Sequence, residues 1–376
     1  MITRAMLHVA HPEMLAQRLG GMSVLERQLF TLARAGINRV WINAVKPREN
    51  AAPAPRLPEN LELIWSLGPA QEECLPPYLS VSANYFIRVE TLRCICRSDH
   101  KIAMTFTDSR QGAPIQVVTA FKSAAAIAHE KQSLPLGASV LLEAPLAEGP
   151  ALDWLLSTGP KSHDGFMARH FDRYISLEIS RRLLDTGVTP NLMTVLSCAL
   201  GLIGAAFFAF PRAYCDIAGA TMIWLHSVLD GCDGELARIR FQESRLGGDI
   251  DFWGDNLVHL ALFGCLSAGF YRATASALSL ALGACAALGI LGSATIAFRQ
   301  KLGRMPLAEE GGSQSMLSRL EALLAQRDFI YLLLIMAYWH MTYYFLWAGA
   351  VGAPLFLIVM LAAGKPHPHA YGAQNA

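Results

Sequence analysis

Four aspartates stand in the stretch DGCDGELARIRFQESRLGGDIDFWGD, which runs from Asp230 to Asp255. At roughly 100° per helical residue, Asp230, Asp233, Gly234, Ala237 and Arg238 fall within an arc of about 140°, so one helix face carries them all. Gly247, Asp251 and Asp255 step by four and form a second stripe on a following helix. Two such stripes facing each other make an oxygen-rich pocket, and carboxylates packed that closely cannot all stay ionised without compensating positive charge. A divalent cation supplies it. With no His or Cys in register, the donor set favours a hard ion, Mg²⁺ or Mn²⁺, over Zn²⁺. Such ions commonly hold phosphates. Asp249 lies roughly 160° from Asp251 at helical spacing and reads as a helix-start charge facing elsewhere.

The elements that must position these residues are membrane helices. The 376 residues include 31 basic and 30 acidic side chains, 53% are hydrophobic and only 16% charged, and the mean hydropathy is +0.32. That balance points to a membrane protein. Residues 192–210, 213–229, 252–271 and 273–298 are apolar runs long enough to span, and residues 329–364 contain no Asp, Glu, Lys or Arg. This last run is too long for one span, and a break around Gly349 to Pro354 divides it, which predicts six spans. Arg238, Arg240, Arg245, Arg299, Lys301, Arg304, Arg319 and Arg327 fall on one side, against Arg212 and Arg272 on the other. By the positive-inside rule the aspartates and both termini are expected at the cytoplasmic face of the inner membrane. The start, MITRAMLHVAHPEM, lacks the pattern of a signal peptide.

Residues 1–160 alternate short apolar runs with helical patterns and predict a soluble α/β domain with a largely parallel, doubly wound sheet. Strands are expected at residues 5–10, 39–44, 61–65, 78–86, 103–107, 116–121 and 140–142, with an amphipathic helix over 23–35 ending at Gly36. Residues 46–58 read as a Pro/Ala-rich surface loop. Residues 161–191 interleave Phe166, Phe171, Tyr174 and Ile175 with Arg169, Arg173, Arg181 and Arg182, as in a helix lying on the membrane surface. A tail follows at 365–376. The eight cysteines suggest neither a disulfide framework nor a zinc site. His8 and His11 read as a strand end and a helix start. Asp216, His226 and His259 lie in spans but outside the aspartate pattern and read as packing or lining residues.

The spacing D-x2-D-G-x2-A-R-x8-G-x3-D-x3-D is filled at every position here, and the membrane half resembles the CDP-alcohol phosphotransferase (CDP-alcohol phosphatidyltransferase) family. The resemblance implies that Asp230, Asp233 and Asp251, together with Asp255, hold two divalent ions that clamp the diphosphate of a CDP-alcohol. It makes Asp255 the general base on the acceptor hydroxyl. It places Asn191 and Thr194 of the P-N-x-x-T element near the cytidine nucleotide, with Gly234, Ala237 and Gly247 as small residues lining its approach and Arg238 as a forked donor to phosphate or base. Arg299, Lys301 and Arg304 either set topology or meet a phosphate on the acceptor. The expected partners are a CDP-alcohol donor, an acceptor alcohol with or without its own phosphate, the bilayer and a second copy of the chain; no nucleic acid is expected.

The segment GGMSVLERQLFTLARAGINRVWI resembles the first βαβ unit of sugar and inositol-phosphate nucleotidyltransferases. The preceding HVAHPEMLAQRLGG lacks their Gly-rich, basic phosphate loop, and Ser82, Ala83 and Asn84 stand where they place a metal-binding Asp. A degenerate domain is the expectation. Phospholipid or inositol-phosphodiester synthesis from a CDP-alcohol is the leading reading. Its alternatives are a bifunctional enzyme that makes and uses CDP-inositol and, in a different class, a cation transporter with intramembrane carboxylates.

Overall fold

A computed structural model describes residues 1–44, 56–66, 74–100, 102–110, 112–119, 129–143, 149–159, 167–303 and 329–363. The chain forms two compact units. The first comprises Met1–Gly159 together with two later pieces, Arg181–Gly187 and Arg238–Gln242; the second holds the rest.

The first unit is built on a seven-stranded sheet. Its central strand β1 (Arg4–His8) pairs in parallel with β4 (Arg39–Asn43) and β6 (Tyr78–Ser82), and β5 (Glu62–Ser66) extends the parallel run beyond β4. Beyond β6, β9 (Ile115–Val118) lies antiparallel to both β6 and β8 (Ala103–Thr107), and β10 (His129–Ser133) closes the edge parallel to β8. The sheet is therefore largely parallel, as alternation suggested, with β9 the one strand that runs against the others. β8 reaches β9 through a short connection, with Asp108 N–H donating to Gly112 O at 2.9 Å, and so short a link permits only antiparallel pairing. The expected strand over 78–86 is also two pieces. The Ala83 N–H donates to His8 O at 2.8 Å, which turns the chain out of the sheet so that β7 (Tyr85–Ile87) pairs instead with β11 (Ser139–Leu141).

Helix α1 (Val24–Ala35) covers this sheet through Leu25, Leu29 and Leu32, spaced i, i+4, i+7 and all buried. Its start is fixed by a capping box: the Glu26 N–H donates to Ser23 Oγ at 3.1 Å, and the Ser23 N–H to Glu26 Oε2 at 2.8 Å. Burial pushes the Glu26 carboxyl upward, but the N–H groups of Arg56 and Ser23 outweigh it and hold the group below its ordinary value. Gly36, at φ +101°, ends the helix in the left-handed conformation that a side chain resists. Ser23→Ala should cost roughly 1 kcal/mol, read as a lower urea midpoint of the purified chain. Helix α2 (Val89–Arg97), helix α3 (Pro150–Ser157) and a short 3-10 turn at Pro12–Met14 are also in this unit. Cys96, on α2, is wholly buried and its thiol is pushed up to about 11, which leaves it inert.

A tight hairpin of β2 (Arg18–Leu19) and β3 (Met22–Ser23) leads into α1. Its corner residues Gly20 and Gly21 sit at φ +61° and +77°.

The second unit is helical, holding α4 (Arg173–Leu183) up to Ser180, α5 (Pro190–Phe207), α6 (Ala213–Ile239) up to Ala237, α7 (Arg245–Thr274), α8 (Ala277–Gly303), α9 (Phe329–Tyr338) and α10 (Thr342–Ala363). Four of these, α5, α7, α8 and α10, are long and apolar enough to cross a membrane. Their outward side chains are apolar too, with Ile203, Leu288, Val351 and Ile358 all exposed, as lipid-facing positions would be. Inside, Phe208, Ile223, Val258, Leu262, Leu333 and Leu346 form the core. The helices approach through glycine. A Cβ on Gly204 would meet Gly219 O at 3.0 Å, and one on Gly269 would collide with Phe208 O, the close approach that small residues permit between membrane helices.

The last apolar run divides at a different place from the one expected. Pro354 lies inside α10, and the break falls at His340, φ +57°, between α9 and α10. Gly289 of α8 explains the tolerance, because a Cβ there would come within 2.5 Å of Pro354 N. The neighbouring helix packs directly on the proline segment, which tertiary packing thereby holds in the helix.

Helix α4 also departs from expectation. Arg173 does not reach outward to headgroups; its Nη1 donates to Glu235 Oε1 at 2.6 Å. The inward face of α4 and of the turn before it is polar, with Asp172, Ser176 and Ser180 buried, and Phe171, Tyr174 and Ile175 are exposed. Phe166 and the tail 365–376 lie outside the described residues, as does most of the Pro/Ala-rich loop.

Candidate active site

Three helices of the second unit bring the signature together. α5 starts at an N-cap, Thr189, whose side chain accepts from the Leu192 N–H at 3.3 Å, with Pro190 in the first turn. That places Asn191 and Thr194 on the opening turns of the helix. α7 starts likewise at Ser244, whose Oγ accepts from the Gly247 N–H at 3.0 Å. The two starts meet at Gly247, where a Cβ would lie 2.8 Å from Asn191 Oδ1. Glycine is required there by close approach rather than by backbone conformation.

Asp230 and Asp233 of α6 and Asp251 of α7 converge, with one carboxylate oxygen from each within 4.8 Å of the others. Asp230 and Asp233 are buried and Asp251 is half-buried. Like charges at this range repel strongly in a region of low dielectric. The all-oxygen donor set, with two of its three carboxylates buried, fits a hard divalent cation. Asp255 is not part of this triad. It sits one turn further along α7, and its Oδ1 lies 3.6 Å from His226 Nε2 of α6.

Thr194 Oγ1 donates to Asp233 Oδ2, and Pro190 O lies 3.2 Å away. The hydroxyl therefore orients a carboxylate of the triad, a role distinct from the nucleotide contact the resemblance implies. Such outer partners typically tune metal affinity by about 10–100-fold. Thr194→Val should weaken Mn²⁺ binding by about tenfold; equal affinities in side-by-side titrations would remove the orienting role.

Of the remaining signature positions, Gly234 and Ala237 are half-buried on α6. Arg238 Nε donates to Gly159 O, so the guanidinium is engaged with backbone. Lys301 Nζ donates to Gly248 O and to Asp249 Oδ1, both at 2.8 Å, which accounts for Asp249 as a charge held at the start of α7. Arg304 lies outside the described residues. His259 packs against Phe329 with ring centroids 5.4 Å apart, and Asp216 accepts from Thr342 Oγ1 at 2.8 Å.

His226, expected as a packing or lining residue, is buried and faces Asp255. One further residue escaped the sequence reading. Glu235 is fully buried, and its oxygens accept from Arg173 Nη1, from Ser176 Oγ at 2.7 Å and from Ser180 Oγ at 2.7 Å. At roughly 200° from Asp233, it anchors the back of the helix that carries the aspartates. The i, i+3, i+7 polar stripe Arg173, Ser176, Ser180 was the available signal.

Residues 187–357 match the family model described as CDP-alcohol phosphatidyltransferase. A protein of Rubrobacter xylanophilus named bifunctional IPC transferase and DIPP synthase is 35% identical over 166 residues, covering 43% of this chain and 35% of that protein. The phosphatidylinositol phosphate synthase of Mycobacterium bovis is 33% identical over 99 residues, covering 26% and 44% respectively. The chain thus spans less than half the length of these curated relatives. Among solved structures, that of Mycobacterium tuberculosis phosphatidylinositol phosphate synthase with CDP-DAG bound aligns at a TM-score of 0.39 and 22% identity, covering 54% of this chain and 100% of that one.

Proposed function

We propose, from the CDP-alcohol phosphatidyltransferase domain that residues 187–357 carry, that the protein transfers a phosphoalcohol or phosphatidyl group from a CDP-alcohol to an acceptor alcohol and releases CMP. The observation that carries the reading is the convergence of Asp230, Asp233 and Asp251 within 4.8 Å, on the family's own spacing.

In this reading Asp230, Asp233 and Asp251 hold divalent cations, Mg²⁺ or Mn²⁺ and two in number, shared with Asp255. Bound there, the metal neutralises charge on the diphosphate and on the departing CMP. Asp255 takes the proton of the acceptor hydroxyl as its oxygen bonds to phosphorus and the bond from phosphorus to the CMP oxygen breaks. Its separation from the triad and its contact with His226 suit that role. Asn191, Gly234, Ala237, Arg238 and Gly247 surround the nucleotide. α6 and α9 complete six spans with α5, α7, α8 and α10. The site and both termini face the cytoplasm at the inner membrane, and the exposed Phe171, Tyr174 and Ile175 of α4 rest on its surface. A homodimer is part of this reading.

The first unit is read as a degenerate nucleotidyltransferase-like domain. A second reading, in which the chain also makes its own CDP-alcohol, is favoured by the name of the Rubrobacter relative. It is opposed by the turn at Gly20 and Gly21, which the chain's own backbone fills: a Cβ on Gly21 would meet Leu184 O at 2.6 Å. The test is to incubate the purified protein with Mg²⁺ or Mn²⁺ and a panel of CDP-alcohols and acceptors, and to identify products by mass. Metal-dependent CMP release with a phosphodiester product is expected. Ion flux through proteoliposomes without CMP release would favour a transporter.

A further inference from the structure

The back of α6 is held by polar contacts. Trp224, Gly231 and Glu235 stand seven and four residues apart on that helix and share one face, while Asp230 and Asp233 lie roughly 140° and 200° round the axis from Glu235. Each of the three meets the segment 172–180, which belongs with them to the second unit. Trp224 Nε1 donates to Asp172 Oδ1 at 3.3 Å, and the Tyr331 hydroxyl of α9 donates to the same oxygen. A Cβ on Gly231 would come within 3.1 Å of Arg173 Nη1, so the glycine leaves the guanidinium its room. Beside it, Cys232 Sγ donates to Ser176 O at 3.4 Å. Glu235, fully buried, takes three donors: Arg173 Nη1 at 2.6 Å and Ser176 Oγ at 2.7 Å on Oε1, and Ser180 Oγ at 2.7 Å on Oε2.

These contacts differ in kind from the apolar packing of the bundle. Where α6 packs through Ala220 and Ile223, one apolar contact can replace another as the helix turns, because dispersion has no preferred direction. A buried carboxylate is not moved so freely: leaving its guanidinium and hydroxyls would strand charge on both sides of the interface. Hydrogen bonds also weaken steeply when bent, which adds direction to the hold. The tolerance at the front of the helix is small. At about 5 Å from the axis, a turn of roughly 20° carries a carboxylate about 2 Å, ten times the ~0.2 Å latitude of a metal–ligand bond.

We infer that Glu235 is a positioning residue for the aspartate site: gripped by Arg173, Ser176 and Ser180, it fixes the axial rotation of α6 and with it the distance of Asp230 and Asp233 from Asp251. The consequence for turnover rests on the proposed transferase activity; the consequence for helix rotation does not.

The test uses the full chain in detergent. Glu235→Gln keeps the shape of the side chain and removes its charge. Glu235→Leu combined with Arg173→Leu removes both partners, so that no charge is stranded and the melting temperature should return toward that of the wild-type protein. Four quantities are read: the melting temperature, the rate at which a maleimide labels Cys232 in metal-free protein, the Mn²⁺ binding isotherm, and kcat and KM for CMP release. Glu235→Gln should label Cys232 faster, bind Mn²⁺ about tenfold more weakly and lose more in kcat than in KM. The double variant should keep the weakened Mn²⁺ binding at near-wild-type stability, which a contact that merely stabilised the fold would not do. Wild-type Mn²⁺ affinity in either variant would overturn the inference. Should the double variant not fold, Ser180→Ala takes its place. It removes one donor, leaves the ion pair and should weaken Mn²⁺ binding by about threefold with only a small fall in melting temperature; unchanged affinity would again overturn the inference. If wild-type protein binds Mn²⁺ but releases no CMP, the transferase reading fails while the labelling and binding arms still decide the role of Glu235. If it binds no Mn²⁺, the labelling rate of Cys232 alone decides whether this carboxylate holds the helix.

Discussion

Asp255→Asn should lower CMP release by on the order of 10²–10⁴-fold, the usual contribution of a general base, and should leave CDP-alcohol binding measurable. The substitution keeps the size and one acceptor oxygen of the side chain but removes its capacity to take a proton. Asp255 stands outside the group of three carboxylates that lie within 4.8 Å of one another, so the triad survives the change. Single-turnover CMP release and equilibrium binding of a labelled CDP-alcohol, measured on the same preparation, separate chemistry from affinity. Turnover at the wild-type rate would remove the base assignment. Loss of binding together with turnover would leave Asp255 a metal-holding residue alone, without the base role.

Asp251→Asn should behave differently. It removes charge from the triad itself, where Asp230 and Asp233 come from α6 and only Asp251 comes from α7. A cation held by both helices then keeps ligands from one of them alone. Metal-assisted charge stabilisation amounts to several kcal/mol, so turnover should fall on the order of a thousandfold. Mn²⁺ binding and CDP-alcohol binding should fall with it. Excess Mn²⁺ should recover part of the activity of Asp251→Asn and none of that of Asp255→Asn. The same response of both variants to added metal would show that the two aspartates share one role.

The aspartate site was the most legible part of the sequence because its information is local. Helical phase alone put Asp230 and Asp233 on one face, and a step of four put Asp251 and Asp255 on another. The two helix starts that frame it were also readable, since Thr189-Pro190 and Ser244 are ordinary capping residues. What stayed hidden depends on partners far along the chain. Arg173 and Glu235 are 62 residues apart, and nothing near either one announces the other. His226 looked like any histidine in a span until α7 brought Asp255 to it. The antiparallel direction of β9 was likewise invisible to apolar periodicity, which reports burial and not strand sense. The break at His340 has neither glycine nor proline to mark it, and Pro354 misled in the opposite sense because Gly289 lets a neighbouring helix stabilise it.

Glycines 204, 219 and 269 lie toward the ends of their helices remote from the carboxylates, and there backbone meets backbone with no side chain between. Rods pressed together at one end act as levers about that point. A methyl group added at Gly269 would have to displace Phe208 O, and the displacement would be transmitted along some fourteen residues, or about 21 Å of helix, to Asp255. A small substitution at these far ends would therefore reach the carboxylates mechanically, changing their separation without touching any of them.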